Sequence, residues 1–214
     1  MNAEYTNVVI RRLAREAGMK SSTSVISFDT ALLLGAALSF ASAIMLVFAI
    51  VGIPRELATT LHSAAFHHKV SSMLLVACGG IFLVRYAGRP GARALALLTV
   101  LPGLALLTAG AISDASEFPF MGLSVISVPS CIAAIVALSL LPLGITMFVL
   151  KRGVTTRPSV AGATAGVLAG ALGAAAYALV CKNNGGLFVA VWYSMAILIT
   201  VGIGAVVGRR ALAW

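Results

Sequence analysis

Apolar residues gather into six long runs separated by short polar segments. The runs are Ala31 to Ile53, Val70 to Tyr86, Arg93 to Ile112, Leu123 to Leu150, Val160 to Val180 and Leu187 to Gly208. Crossing ~30 Å of hydrocarbon takes roughly 20 helical residues, and each run is near that length. None shows the two-residue alternation of a barrel strand, so the pattern predicts helices. The expected fold is all-α, a polytopic membrane protein with six transmembrane helices. Pro102-Gly103 sits in the middle of the third run, and Pro142 is expected to tilt or kink the long fourth one. Glycines recur every four residues in the fifth run (Gly162, Gly166, Gly170) and again in the sixth (Gly204, Gly208). Small residues at that spacing let helix backbones approach closely in lipid. Packing inside the bundle is the expected role, and a dimer seam is the other reading.

Two regions follow from this pattern: a segment at 1–30 and a membrane domain at 31–214. In the first, Val9, Ile10, Leu13, Ala14 and Ala17 recur at helical spacing among Arg11, Arg12 and Arg15. This reads as a short amphipathic helix. It either lies on anionic lipid or docks its apolar face into a protein groove. Ser21 to Ser27 reads as a flexible tether. Ala41-Ser42-Ala43 looks like a leader cleavage site, but the apolar run continues to Ile53, so a retained anchor is expected.

Composition agrees with the pattern. The chain is 60% apolar and 10% charged, with a mean hydropathy of +1.05. One soluble core of 214 residues cannot hide that much apolar surface. The net charge of +9 raises nucleic acid as a partner, and the placement of the charges excludes it. Basic residues cap the apolar runs and do not interleave with aromatics on one surface. Twelve of the fifteen fall on one side of the predicted spans, and only Arg55, Lys69 and Lys182 on the other. That bias marks the cytoplasmic side, and an even number of spans places both termini there.

Cys131 and Cys181 then stand together at the extracytoplasmic face. The spans that carry them are joined by a short loop, so they are expected to be antiparallel neighbours. A disulfide in an oxidising compartment, a metal or a thiol sensor would suit them. The plain alternative is two small apolar residues at similar depth. Cys78 has no visible partner and reads as a buried, inert thiol. His62, His67 and His68, with the two cysteines, offer nitrogen and sulfur ligands for a metal, although their spacing matches no closed zinc motif. The histidines are also candidates for proton sensing. Asp114 and Glu117 read as a solvated turn. No predicted span carries a charged residue at its centre, which argues against a pump or transporter. Cys-x-x-Cys, Gly-x-Ser-x-Gly and His-Glu-x-x-His are missing, so neither an enzyme nor a bound cofactor is expected.

Several motifs in order resemble one family. They are CIAAIVALSLLP at 131–142, KRGVTTRP at 151–158, AGATAG at 161–166, AYALVC at 176–181, FVAVWY at 188–193 and GRRALAW at 208–214, with RPG at 89–91 before them. This looks like the NrsF family of six-span bacterial inner-membrane proteins. The resemblance implies a membrane anti-sigma factor. Such a protein holds an extracytoplasmic-function sigma factor inactive and releases it under envelope, heavy-metal or oxidative stress. It also implies that Cys131 and Cys181 are the sensing pair. Sigma binding is implied for the cytoplasmic N-terminus, through Val9, Ile10, Arg12 and Leu13. Val180 stands where the family often has histidine, and Lys182-Asn183-Asn184 where it is usually acidic. Both departures weaken a conventional metal site and leave a thiol switch untouched. A small transporter or metal-efflux accessory protein is the alternative reading.

Overall fold

A computed structural model gives the fold. It describes residues 7–12, 15, 27–54, 57–87, 94–114, 119–124, 126–153, 155 and 157–212. Every element of secondary structure among them is helical. In chain order these are α1 (Phe28–Val51), α2 (Leu57–Leu61), α3 (Ala64–Ala87), α4 (Leu101–Ile112), α5 (Ser127–Leu150), α6 (Pro158–Tyr177) and α7 (Gly186–Ala211). Five of them, α1, α3, α5, α6 and α7, are long and apolar enough to cross a membrane.

The third predicted run is the exception to six uniform spans. A 3-10 stretch, Ala94–Val100, leads into the 12-residue α4. At about 2.0 Å per residue for the first part and 1.5 Å for the second, the composite reaches roughly 32 Å. Pro102 lies in the first turn of α4. There its missing N–H costs nothing, because that donor has no partner inside a helix. The proline therefore starts the α-helical part of the segment.

Two helix starts follow capping groups more closely than they follow apolarity. Ser27 Oγ accepts the Thr30 N–H at 3.2 Å and starts α1 three residues before its apolar run. Ser63 Oγ accepts the Phe66 N–H at 3.2 Å, and α3 begins at Ala64, six residues before the predicted start at Val70. Lys69 is thereby inside a helix. The α1 helix ends at Gly52, whose φ of 82° suits glycine.

The Gly/Ala-rich α6 is the centre of the bundle: 14 of its 20 residues are buried. It packs against α3, α5 and α7, and more lightly against α1. Its glycine row faces α7. A Cβ on Gly162 would strike Gly204 O, and one on Gly166 would lie 2.6 Å from Val201 Cα. The small-residue seam is thus internal to one chain. Peripheral helices turn Leu33, Leu38, Met45, Leu140, Phe148, Leu198 and Val206 outward, an apolar band of the kind lipid covers. At one end of the bundle Arg85 pairs with Asp29 at 3.0 Å. The pair is half-exposed and contributes at most about 1 kcal/mol.

Candidate functional site

The opposite end of the bundle gathers the starts of α3, α5 and α7 and the ends of α4 and α6. Cys131 lies in the second turn of α5 and is fully buried. Cys181 follows α6 after one further turn, which its N–H closes on Tyr177 O at 3.1 Å. It is also buried. The packing of α5 on α6 brings the two buried cysteines to the same end of the bundle as free thiols.

Three further groups surround the pair. Lys69 projects from α3 and is 2% exposed. Its ammonium donates to Asn184 Oδ1 at 2.8 Å and to Cys181 O at 3.3 Å. Both acceptors are neutral, and among the described residues no carboxylate pairs with this lysine. Tyr193 is fully buried, and its hydroxyl faces the Cys181 sulfur. Among the described residues, that hydroxyl has no hydrogen-bond partner. Tyr193 closes a π-helical turn, Val189–Tyr193, within α7, a local widening that often marks functional positions. Its ring lies 6.2 Å from that of Tyr177.

The polar frame favours the charged form of Cys181. A hydrogen bond from Cys131 is the largest effect, and the Lys69 cation adds to it; burial opposes both. The net result lowers this thiol to about 6. One thiol of the pair is therefore primed as a thiolate, the form that attacks disulfides and electrophiles or binds soft metals.

Loops tie the site to the rest of this end. Leu123 N–H donates to Asn183 Oδ1 at 3.2 Å. The Trp192 indole donates to Phe120 O at 3.0 Å, and the two rings pack 5.3 Å apart. Asp114, expected to be a solvated turn residue, instead accepts the Leu187 N–H at 3.1 Å in the first turn of α7. A carboxylate there satisfies an orphan donor and complements the helix dipole. Asp114→Ala is expected to cost about 1 kcal/mol. Its thermal midpoint in detergent should fall by about 2–4 °C; an unchanged midpoint would deny the capping role.

The histidines do not join the thiols. His62 and His67 are exposed. The His68 ring packs against Gly110, with Nε2 buried and without a hydrogen-bond partner. Among the described residues, no group of three His, Cys, Asp or Glu is placed to hold a metal ion. Cys78, expected to be buried, is exposed on α3. Val9, Ile10 and Arg12 lie in a helical stretch at 7–12 and are exposed. Leu13 and Glu117 fall outside the described residues.

Sequence reasoning missed Lys69, Asn184 and Tyr193. For Lys69 a signal existed. Lys69, Ser72, Met73, Val76 and Gly80 recur at helical spacing and share the buried face of α3. A lysine in register with an apolar stripe points inward.

Comparison with known proteins supplies the family. The model of NrsF, described as negative regulator of sigma F, matches residues 17–214. A probable anti-sigma-F factor NrsF of Azospira oryzae is 30% identical over 179 residues, which cover 81% of this chain and 84% of the relative. The anti-sigma-F factor NrsF of Caulobacter vibrioides is 35% identical over 85 residues, 40% of each chain. No solved structure matches. The matched segment includes both buried cysteines, Lys69 and Tyr193, and begins after Val9, Ile10 and Arg12. The chain belongs to the NrsF family of negative regulators of sigma F.

Proposed function

We propose that this chain is a multi-pass anti-sigma factor of the bacterial inner membrane, with six spans and both termini in the cytoplasm. Its N-terminal segment holds an extracytoplasmic-function sigma factor away from RNA polymerase, through Val9, Ile10, Arg12 and Leu13. Cys131 and Cys181, at the extracytoplasmic end, change their bonding under envelope, oxidative or heavy-metal stress. Either the two thiols lose two protons and two electrons to an oxidant and form a disulfide, or a thiophilic metal bridges them. The single observation that carries this reading is the buried pair of reduced thiols between two packed helices, with Lys69 and Tyr193 against them. A new bond there pulls the start of α5 toward the end of α6 and alters the seat of Tyr193 on α7. The close α6–α7 seam then carries the displacement to the other end of the bundle. The bonding change acts as a switch by favouring one of two discrete arrangements.

The test is copurification. Tagged full-length protein, extracted in mild detergent at native expression, is expected to retain a sigma factor identifiable by mass spectrometry. A variant lacking residues 1–24 should lose it. If the full chain retains none, the anti-sigma reading fails for this protein. Substitution of both cysteines by serine should abolish stress induction of the sigma-dependent genes while leaving copurification intact. Unchanged induction would remove the cysteines from the sensing role.

A further inference from the structure

Beside the thiol pair, a cavity of about 370 Å³ opens at the same end of the bundle. His68, Lys69, Ser113, Asp114 and Asn184 supply its polar lining. Neither cysteine lines it. Lys69 stands between, with its ammonium on Asn184 Oδ1 and on the backbone oxygen of Cys181. The hydrogen-bond acceptors of this buried ammonium are neutral oxygens, and the opposite charge near it is the Cys181 thiolate. The ammonium has three N–H donors and two acceptors, so one donor remains for a ligand. Asp114, the acid of the lining, is half-buried at the start of α7, and Leu187 N–H occupies its Oδ2.

We propose that this cavity is the entry site to the thiol pair, and that Lys69 makes it a site for small anions. The inference takes the thiol pair as the responsive centre, as proposed above. An anion entering the cavity meets the free N–H of Lys69. Shifting the ammonium toward the anion loosens its bond to Cys181 O and uncovers the sulfur behind it. A small cation meets like charge at the same point, in a low-dielectric setting where that repulsion is strong. Selection among thiol-reactive solutes therefore rests on Lys69, by charge and by size.

The test uses purified, fully reduced, full-length protein in detergent, with no sigma factor present, so its result is independent of the anti-sigma reading. Two methanethiosulfonate reagents serve as probes, one bearing an ethylsulfonate and one an ethyltrimethylammonium group. In each, the cysteine thiolate attacks the reagent's sulfenyl sulfur, forms a mixed disulfide and releases methanesulfinate; the thiol proton goes to solvent. Rates at Cys131 and Cys181 are read by site-resolved mass spectrometry and normalised to free cysteine. The anionic probe is expected to react about tenfold faster than the cationic one, as charged clefts steer ligands of opposite sign. Lys69→Met should erase that preference. Lys182→Gln, which removes an exposed cation next to Cys181 but outside the cavity lining, should keep most of it.

Equal rates for the two probes in the wild type overturn the proposal. So do a preference that survives Lys69→Met, and a failure of both probes to label the reduced pair. Should Lys69→Met fail to fold, wild-type protein alone decides. Nitrate at constant ionic strength is expected to slow the anionic probe saturably. No slowing means that the cavity holds no anion.

Discussion

Gly166→Leu is expected to leave no monodisperse folded protein in mild detergent. A Cβ at this position would lie 2.6 Å from Val201 Cα and 2.7 Å from Thr200 O, both backbone atoms of α7. Overpacking a core that can shift its side chains costs about 1–3 kcal/mol. Here the obstructing atoms are backbone, so the helices must part. Parting them would open the whole Gly162–Gly170 seam, because Gly204 and Gly208 press on Gly162 from the other side. A matched control uses Gly144 and Gly202, where an added Cβ meets nothing within 4 Å. Alanine at either should hold or raise the thermal midpoint, since glycine inside a helix costs roughly 0.5–1 kcal/mol relative to alanine. A Gly166→Leu protein that elutes and melts like wild type would show that the α6–α7 seam does not hold the bundle together.

That seam also shows what the chain makes legible. Four-residue glycine spacing marked close helix packing but not which helix lay opposite, because in lipid close backbone approach is what holds helices together. The approximate positions of the long helices were legible for a similar reason: hydrophobic length is nearly the only requirement lipid imposes. Boundaries were less so. Ser63 begins α3 well outside the apolar run, and hydropathy alone cannot see a cap. This one error hid Lys69, which was counted as a loop cation when it lies inside a helix. That Cys131 and Cys181 lie at the same end of the bundle was readable, since a short loop between their helices forces antiparallel packing. Tyr193 was not readable. It reaches the thiols by way of a π-helical turn, and a pattern read at 3.6 residues per turn assigns no such register shift.

Cys181 is expected to alkylate at pH 7 as a near-fully formed thiolate, with Cys131 far behind it. Its value of about 6 lies below that of an ordinary thiol. The neutral reagent iodoacetamide should therefore label Cys181 at a rate half-maximal near pH 6 and flat above pH 7, read by site-resolved mass spectrometry. Cys131→Ala removes the largest cause, the hydrogen bond from the neighbouring thiol. The half-maximal pH should then rise toward the free-thiol value of about 8.5, where only about 3% of the thiol is ionised at pH 7. Lys69→Met removes the second lowering influence and should raise it by less. The linked stability has a definite sign. A thiol whose folded value is depressed stabilises the fold fully above its unfolded value and loses that contribution as pH falls through about 6. Wild-type protein should thus melt at a lower temperature at pH 5 than at pH 8, and the Cys181→Ala variant should lose part of that difference. Labelling of Cys181 at the free-thiol midpoint, or a midpoint indifferent to Cys131→Ala, would mean that the two sulfurs do not share a proton. With a shared proton, the roles in the pair are set: Cys181 is the attacking sulfur and Cys131 the protonated partner that closes the bond.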